Sequence, residues 1–145
     1  MAESVPQNFS NHSRLDPPFH FFVLPVFALT VIITIVHLVV HPQLHSAWVV
    51  IFALAATVVA VKIRTYALKL QDRIIRLEER LRLAILLDKP LRARIGEFSE
   101  SQLVALRFAS DAELPALAGR TLSEKLSNKD IKKAIRQWKP DYWRV

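Results

Sequence analysis

The chain has no cysteine and only two glycines, Gly96 and Gly119. Without cysteine there is no disulfide framework, thiol nucleophile, Zn–Cys site or iron–sulfur cluster. Two distant glycines leave no phosphate-binding loop and no dinucleotide fingerprint, both of which need clustered glycines for close backbone approach to phosphate. Charge is scarce where hydropathy is high. Residues 1–61 carry Arg14, Glu3 and Asp16 and no other Lys, Arg, Asp or Glu, net −1. Residues 62–145 carry 19 Lys+Arg against 11 Asp+Glu, net +8, which gives +7 for the 145-residue chain. The length alone suggests one domain. A long apolar first half joined to a basic second half is not one soluble globule.

What is there begins with two apolar runs. Residues 19–40 are 22 residues without Asp, Glu, Lys or Arg. As a helix they rise about 33 Å, enough for a hydrocarbon core of about 30 Å. Pro25 lies one to two turns inside, where it is tolerated and can kink the helix. A cleaved signal peptide is disfavoured: the run is too long, Arg14 is the one cation just upstream, and no small-x-small site follows. The second run is uncharged from Ala47 to Val61. Lys62 and Arg64 can snorkel toward headgroups, which extends the span to 47–68. Trp48 and Tyr66 fall near its ends, at aromatic-belt positions. The linking segment 41–46 allows only an antiparallel hairpin. It carries no Lys or Arg, whereas 62–82 carries seven. The positive-inside rule therefore puts the turn outside and both termini in the cytoplasm, including the tail 1–18.

No helix breaker stands between Ala47 and Asp88, so the second span is expected to continue as an amphipathic stalk over 69–87. Ile63, Ala67, Leu70, Ile74, Leu77, Leu81 and Ala84 alternate steps of four and three, an a/d seam. It packs either on the chain's own C-terminal domain or on a second copy, with Leu70, Ile74, Leu77 and Leu81 as the candidate self-association residues. Asp72–Arg76 and Glu78–Arg82 stand at i,i+4 in the favourable order. Lys69, Arg73, Arg76 and Arg80 form a separate stripe. It is either a solvated face or, at Lys69 and Arg73, a contact for anionic lipid headgroups.

Residues 88–145 read as a small basic domain of short helices. Leu91, Ile95 and Phe98 share a face. Ser99…Gln102 and Ser110…Glu113 are capping-box patterns, with Pro115 in the first turn of the second helix. Ser127 opens a last helix that stops near Pro140. On that helix Lys129, Lys132, Lys133, Arg136 and Lys139 fall within an arc of about 120°, opposite Ile131, Ala134, Ile135 and Trp138. It either docks its apolar face and leaves the lysines in water, or lies on anionic lipid, or contacts nucleic acid or an acidic protein. Trp138 and Trp143 are the candidate anchors. Leu126 to Ile131 is similar to the start of a helix-turn-helix. That motif needs a second helix for the major groove, and here one helix runs to Pro140.

All five histidines lie in the first 45 residues. His37, His41 and His45 are four apart, a spacing that can share a metal on a helix. Pro42 is expected to end the helix before His45, and no carboxylate or thiolate lies in the turn. The second span offers no histidine at matching depth for a bis-His haem. The three are read as interfacial histidines, and no cofactor or metal is expected. No Ser-His-Asp set or carboxylate pair is supported, so no enzymatic activity is expected.

Four stretches carry a family resemblance: His41-Pro…His45-Ser-Ala-Trp48; Tyr66 through Leu83; Leu91 to Gly96 with Gln102 to Leu117; and Leu126 through Val145. Together they resemble an uncharacterised family of small two-span bacterial membrane proteins. The resemblance implies a multi-pass protein of the bacterial inner membrane with a helical cytoplasmic domain. It implies no activity, cofactor or site residue.

The sequence therefore predicts an all-α protein: a transmembrane helical hairpin, a long second helix continuing as a cytoplasmic stalk, and a small helical C-terminal domain. The leading functional expectation is non-enzymatic. The domain is presented at the cytoplasmic face to a membrane or cytoplasmic protein, to anionic lipid, or to a second copy. Two other readings stand beside it: an accessory subunit of a respiratory or transport complex, and a membrane-tethered module for anionic lipid or, less favoured, nucleic acid.

Overall fold

A computed structural model describes residues 7–11 and 15–141. Among these residues the regular structure is helical, with one isolated antiparallel bridge between Ala109 and Trp138. Two compact units divide the chain. One is drawn from the first apolar run and the second helix up to Lys69; the other runs from Leu70 onward and includes the N-terminal residues 7–11.

In the first unit Asp16 starts the leading helix: its Oδ1 accepts the Phe19 N–H at 3.4 Å. The first turns, Phe19–Val23, are π-helical, and Leu24 N–H reaches back to the Phe19 carbonyl. The cause is next in sequence. Pro25 has no N–H to give, so the ladder loses a bond there and the wider turn precedes it. α1 then runs Leu24–Val40. Phe19–Val40 and α2, which runs Leu44–Leu86, are long and apolar enough to cross a membrane.

The connection is shorter than the expected segment 41–46. His41 leaves helical geometry before Pro42, as a pre-proline residue must, and α2 has begun by Leu44, so His45 and Ser46 are helical. On α2 the small residues Ser46 and Ala53 are buried, at 2% and 5% exposure, and Ala53 faces α1. An apolar groove of about 320 Å³ lies there, lined by Val26, Phe27, Thr30, Phe52, Ala53 and Ala56. Close approach through small residues is how helices pack without a hydrophobic drive between them. Thr30 and Thr57 satisfy their hydroxyls on the Val26 and Ala53 carbonyls, both at 2.8 Å. At the other end of the hairpin, Arg64 pairs with Asp16 at 3.2 Å.

In the second unit the last turns of α2 meet α3 (Lys89–Arg92), a 3-10 turn (Ile95–Glu97), α4 (Glu100–Leu106), α5 (Leu114–Ser123) and α6 (Asn128–Ala134). The core is Leu83 of α2 and Leu87 just past its end with Phe98, Leu103, Phe108 and Ile131 among others. Leu91 and Ile95 pack at its edge, as their shared face with Phe98 predicts. Ser99 and Gln102 close the predicted capping box on α4. Ser110 and Glu113 do not close theirs. Ser110 Oγ accepts the Glu113 N–H, but the Ser110 N–H is taken by the Gln137 carbonyl at 3.0 Å. Pro115 sits in the first turn of α5, and Ser127 caps α6 by accepting the Asp130 N–H.

Candidate functional site

α2 carries two apolar stripes in the second unit. Ile75, Glu79, Leu83 and Leu87, four apart, are the buried set, at 7%, 3%, 0% and 1% exposure. The predicted a/d seam is a different face. Leu70, Ile74, Leu77 and Leu81 are 49–60% exposed. The helix does pack on its own domain, but not through those residues.

Neither expected i,i+4 ion pair forms. Arg76 Nε donates to the Asp72 carbonyl at 3.1 Å, and its guanidinium pairs with Glu100. Arg82 turns inward to Glu79 at 3.3 Å, to Asp111 at 2.5 Å, and to the Ala109 carbonyl at 2.6 Å. Each arginine reaches further acceptors on the folded domain that an isolated helix does not offer. Burial pushes the Glu79 carboxyl above the ordinary glutamate value, against the opposing charge and hydrogen bond of Arg82. The hydrogen bond and charge of Arg82 hold Asp111 below its ordinary value.

The last helix is shorter than predicted. α6 ends at Ala134, and Ile135 is extended. Contacts with Glu113 and Phe108 take the chain out of the helix. Glu113 Oε2 accepts the N–H groups of Arg136 and Gln137, at 3.2 and 3.3 Å. Lys139 N–H donates to the Phe108 carbonyl at 2.7 Å. The Trp138 ring lies 5.1 Å from that of Phe108. The five-cation arc therefore does not form on one helix. Lys129 and Lys133, four apart, are exposed on α6 and form no ion pair among the described residues. Lys132 is half-buried, its Nζ 5.8 Å from the Phe108 ring centre. Arg136 is exposed beyond the helix, and Lys139 lies 3.9 Å from Asp111. Lys69 and Arg73 are exposed on α2. Trp143 lies outside the described residues.

The whole chain, residues 1–145, matches a family of unknown function, DUF6526. The chain belongs to this family. No curated protein and no solved structure matches it.

In this DUF6526 member the His37 and His41 rings lie 4.9 Å apart, and His45 is exposed. No group of three or more His, Asp or Glu side chains able to hold a metal occurs among the described residues. Two positioning contacts escaped the sequence reading. Asp16–Arg64 joins the ends of the hairpin, and its signal was in plain view: one of the two acids in a 61-residue stretch, opposite the first arginine after it. The other is Gln7, whose carboxamide makes both hydrogen bonds to the Asp141 backbone, at 2.9 and 3.2 Å. No sequence pattern marks a pair 134 residues apart.

Proposed function

We propose that this chain is a non-enzymatic integral protein of the bacterial inner membrane. Both termini face the cytoplasm, and a basic helical domain is presented there to anionic lipid headgroups or to a partner protein. The observation that carries the membrane reading is exposure. Across Phe19–Val40, a 22-residue helix, the apolar side chains are not taken into a core: Phe21 is 70%, Leu29 56% and Val39 75% exposed. A core helix of a soluble domain would bury such a surface, and exposed apolar area on this scale calls for lipid or protein against it. The lysine and arginine excess after the second span supports the orientation. The non-enzymatic reading draws on Glu79: the buried carboxyl group is engaged by Arg82 at 3.3 Å. For binding, Lys129, Lys133 and Arg136 offer exposed positive charge without competing ion pairs among the described residues.

The test has two readouts on the full-length protein. Alkaline carbonate extraction with reporters fused at each end should leave the protein in the membrane pellet and both reporters on the cytoplasmic side. Reconstituted protein should bind vesicles containing phosphatidylglycerol more tightly than neutral ones. The Lys129→Glu/Lys133→Glu/Arg136→Glu variant should lose that preference, since each cation near an anionic surface is worth about 1 kcal/mol. Extraction by carbonate would reject the membrane assignment. Equal binding by the charge-reversed variant would reject the lipid-contact assignment.

A further inference from the structure

α2 is apolar on two opposite sides over its last four turns. At ~100° per residue, the buried stripe centred on Glu79 and Leu83 and the exposed stripe centred on Leu70 and Leu81 lie about 170° apart. One domain needs one stripe. The second stays open along its whole length: Leu70 60%, Ile74 49%, Leu77 60%, Leu81 58% and Ile85 78% exposed. Lipid is not the natural cover for it, because Arg73, Glu78 and Arg80 flank it on the same turns.

We propose that this stripe is the interface of a parallel two-stranded coiled coil with a second copy of the chain. Three features identify the occupant. First, the exposed residues keep the alternation of four and three, with Ile74 and Leu81 at a and Leu70 and Leu77 at d, and half-buried Ala84 continues it at the next d. A β-branched residue at a beside leucines at d favours two parallel strands. Second, the flanking charges fit only that arrangement. In a parallel pair each g residue faces the e residue five positions on, so Arg73 meets Glu78 of the second copy and Arg80 meets Ile85. No like charges oppose. Antiparallel strands would set g against g, arginine facing arginine. Third, the domain contacts lie on the far side of the helix, so pairing displaces none of them. The proposal draws on the membrane reading for one point only: two copies inserted the same way present their stalks in parallel.

The absence of cysteine makes the test clean. Leu70→Cys, Ile74→Cys, Leu77→Cys and Leu81→Cys are introduced singly into the full chain and oxidised in native membranes. Asp72→Cys, exposed on the far side, is the control. Covalent dimers at the four seam positions and not at Asp72 are the expected result. Folding of each variant is followed by helix content and thermal melting, which the exposed positions should leave unchanged. Arg73→Glu and Glu78→Arg, each alone, turn two symmetry-related attractive pairs into repulsive ones and should weaken dimerisation roughly tenfold. The double swap should restore it. No seam dimers, dimers as abundant at Asp72, or seam cysteines captured by a different protein would overturn the proposal. Failure of the double swap to rescue would overturn the parallel register. Recovery in the soluble fraction would sink the membrane reading and leave the disulfide pattern to decide the seam.

Discussion

At the residue scale, Arg82 shows how folding redirects a side chain. On an isolated helix Glu78 is its natural partner, one turn back. In the folded domain it serves Glu79, Asp111 and the Ala109 carbonyl together. Glu79 is consequently a carboxylate at 3% exposure held in place by one guanidinium. Burial raises its proton affinity more than Arg82 lowers it. The sign of the linkage follows. Between the ordinary glutamate value, about 4.3, and the raised folded value, the folded chain holds a proton that the unfolded chain has released. Stability therefore falls as pH rises through that window. Asp111 acts in the opposite sense at lower pH, since Arg82 depresses it. Glu79→Gln keeps the shape, removes the titration and leaves Arg82 its other acceptors. Its melting temperature should be nearly flat with pH across the window in which the wild-type value declines. Parallel curves for the two proteins would show that Glu79 does not carry the dependence.

At the element scale, local rules and long-range contacts divide what could be read. The two apolar runs, the unbroken second helix, the α4 capping box and the serine before α6 are set within a few residues of themselves. Their periodicity and caps are visible in the sequence. The end of α6 is not. Arg136, Gln137 and Lys139 spend their N–H groups on Glu113 and Phe108, more than 20 residues away, and a helical wheel has no term for such partners. The binding arc failed as a pattern for that reason, while Lys129 and Lys133 kept their exposed places on α6. The stalk seam was visible because heptads are local. Which stripe the domain takes was not, because Ile75, Glu79, Leu83 and Leu87 are singled out only by what folds against them.

The end of α5 hides a signal of the same kind. Lys125 has φ of 51°, the left-handed conformation, and the Leu126 N–H bonds back to the Thr121 carbonyl at 3.2 Å. This is the helix stop that glycine usually supplies. Lys125→Gly removes the Cβ penalty and should stabilise the domain by about 1 kcal/mol, net of the greater freedom of glycine in the unfolded chain. Thermal melting of the full-length protein reads this directly, and a lower melting temperature would count against the strained cap.

At the scale of the whole molecule, the hairpin and the domain solve different problems with one shared helix. Up to Lys69, α2 belongs to a unit whose apolar surface faces outward and whose helices meet through small residues. From Leu70 it belongs to a unit with a closed core. The sharp shift in composition near residue 62 falls within one uninterrupted helix, without any linker. In the second unit two described residues far apart in sequence meet. Gln7 pairs with both backbone groups of Asp141, whose carboxylate lies 3.3 Å from Arg107. The Gln7 carboxamide thus takes the place of a backbone partner for Asp141, accepting its N–H and donating to its carbonyl. Gln7→Ala should therefore free the Asp141 amide locally, by about 1 kcal/mol, and leave the core of α4 and α5 unaffected. Hydrogen exchange resolved to single amides would show roughly five-fold faster exchange at Asp141 and unchanged protection at Leu103 and Leu117. Unchanged exchange at Asp141 would mean that Gln7 does not hold this segment in solution.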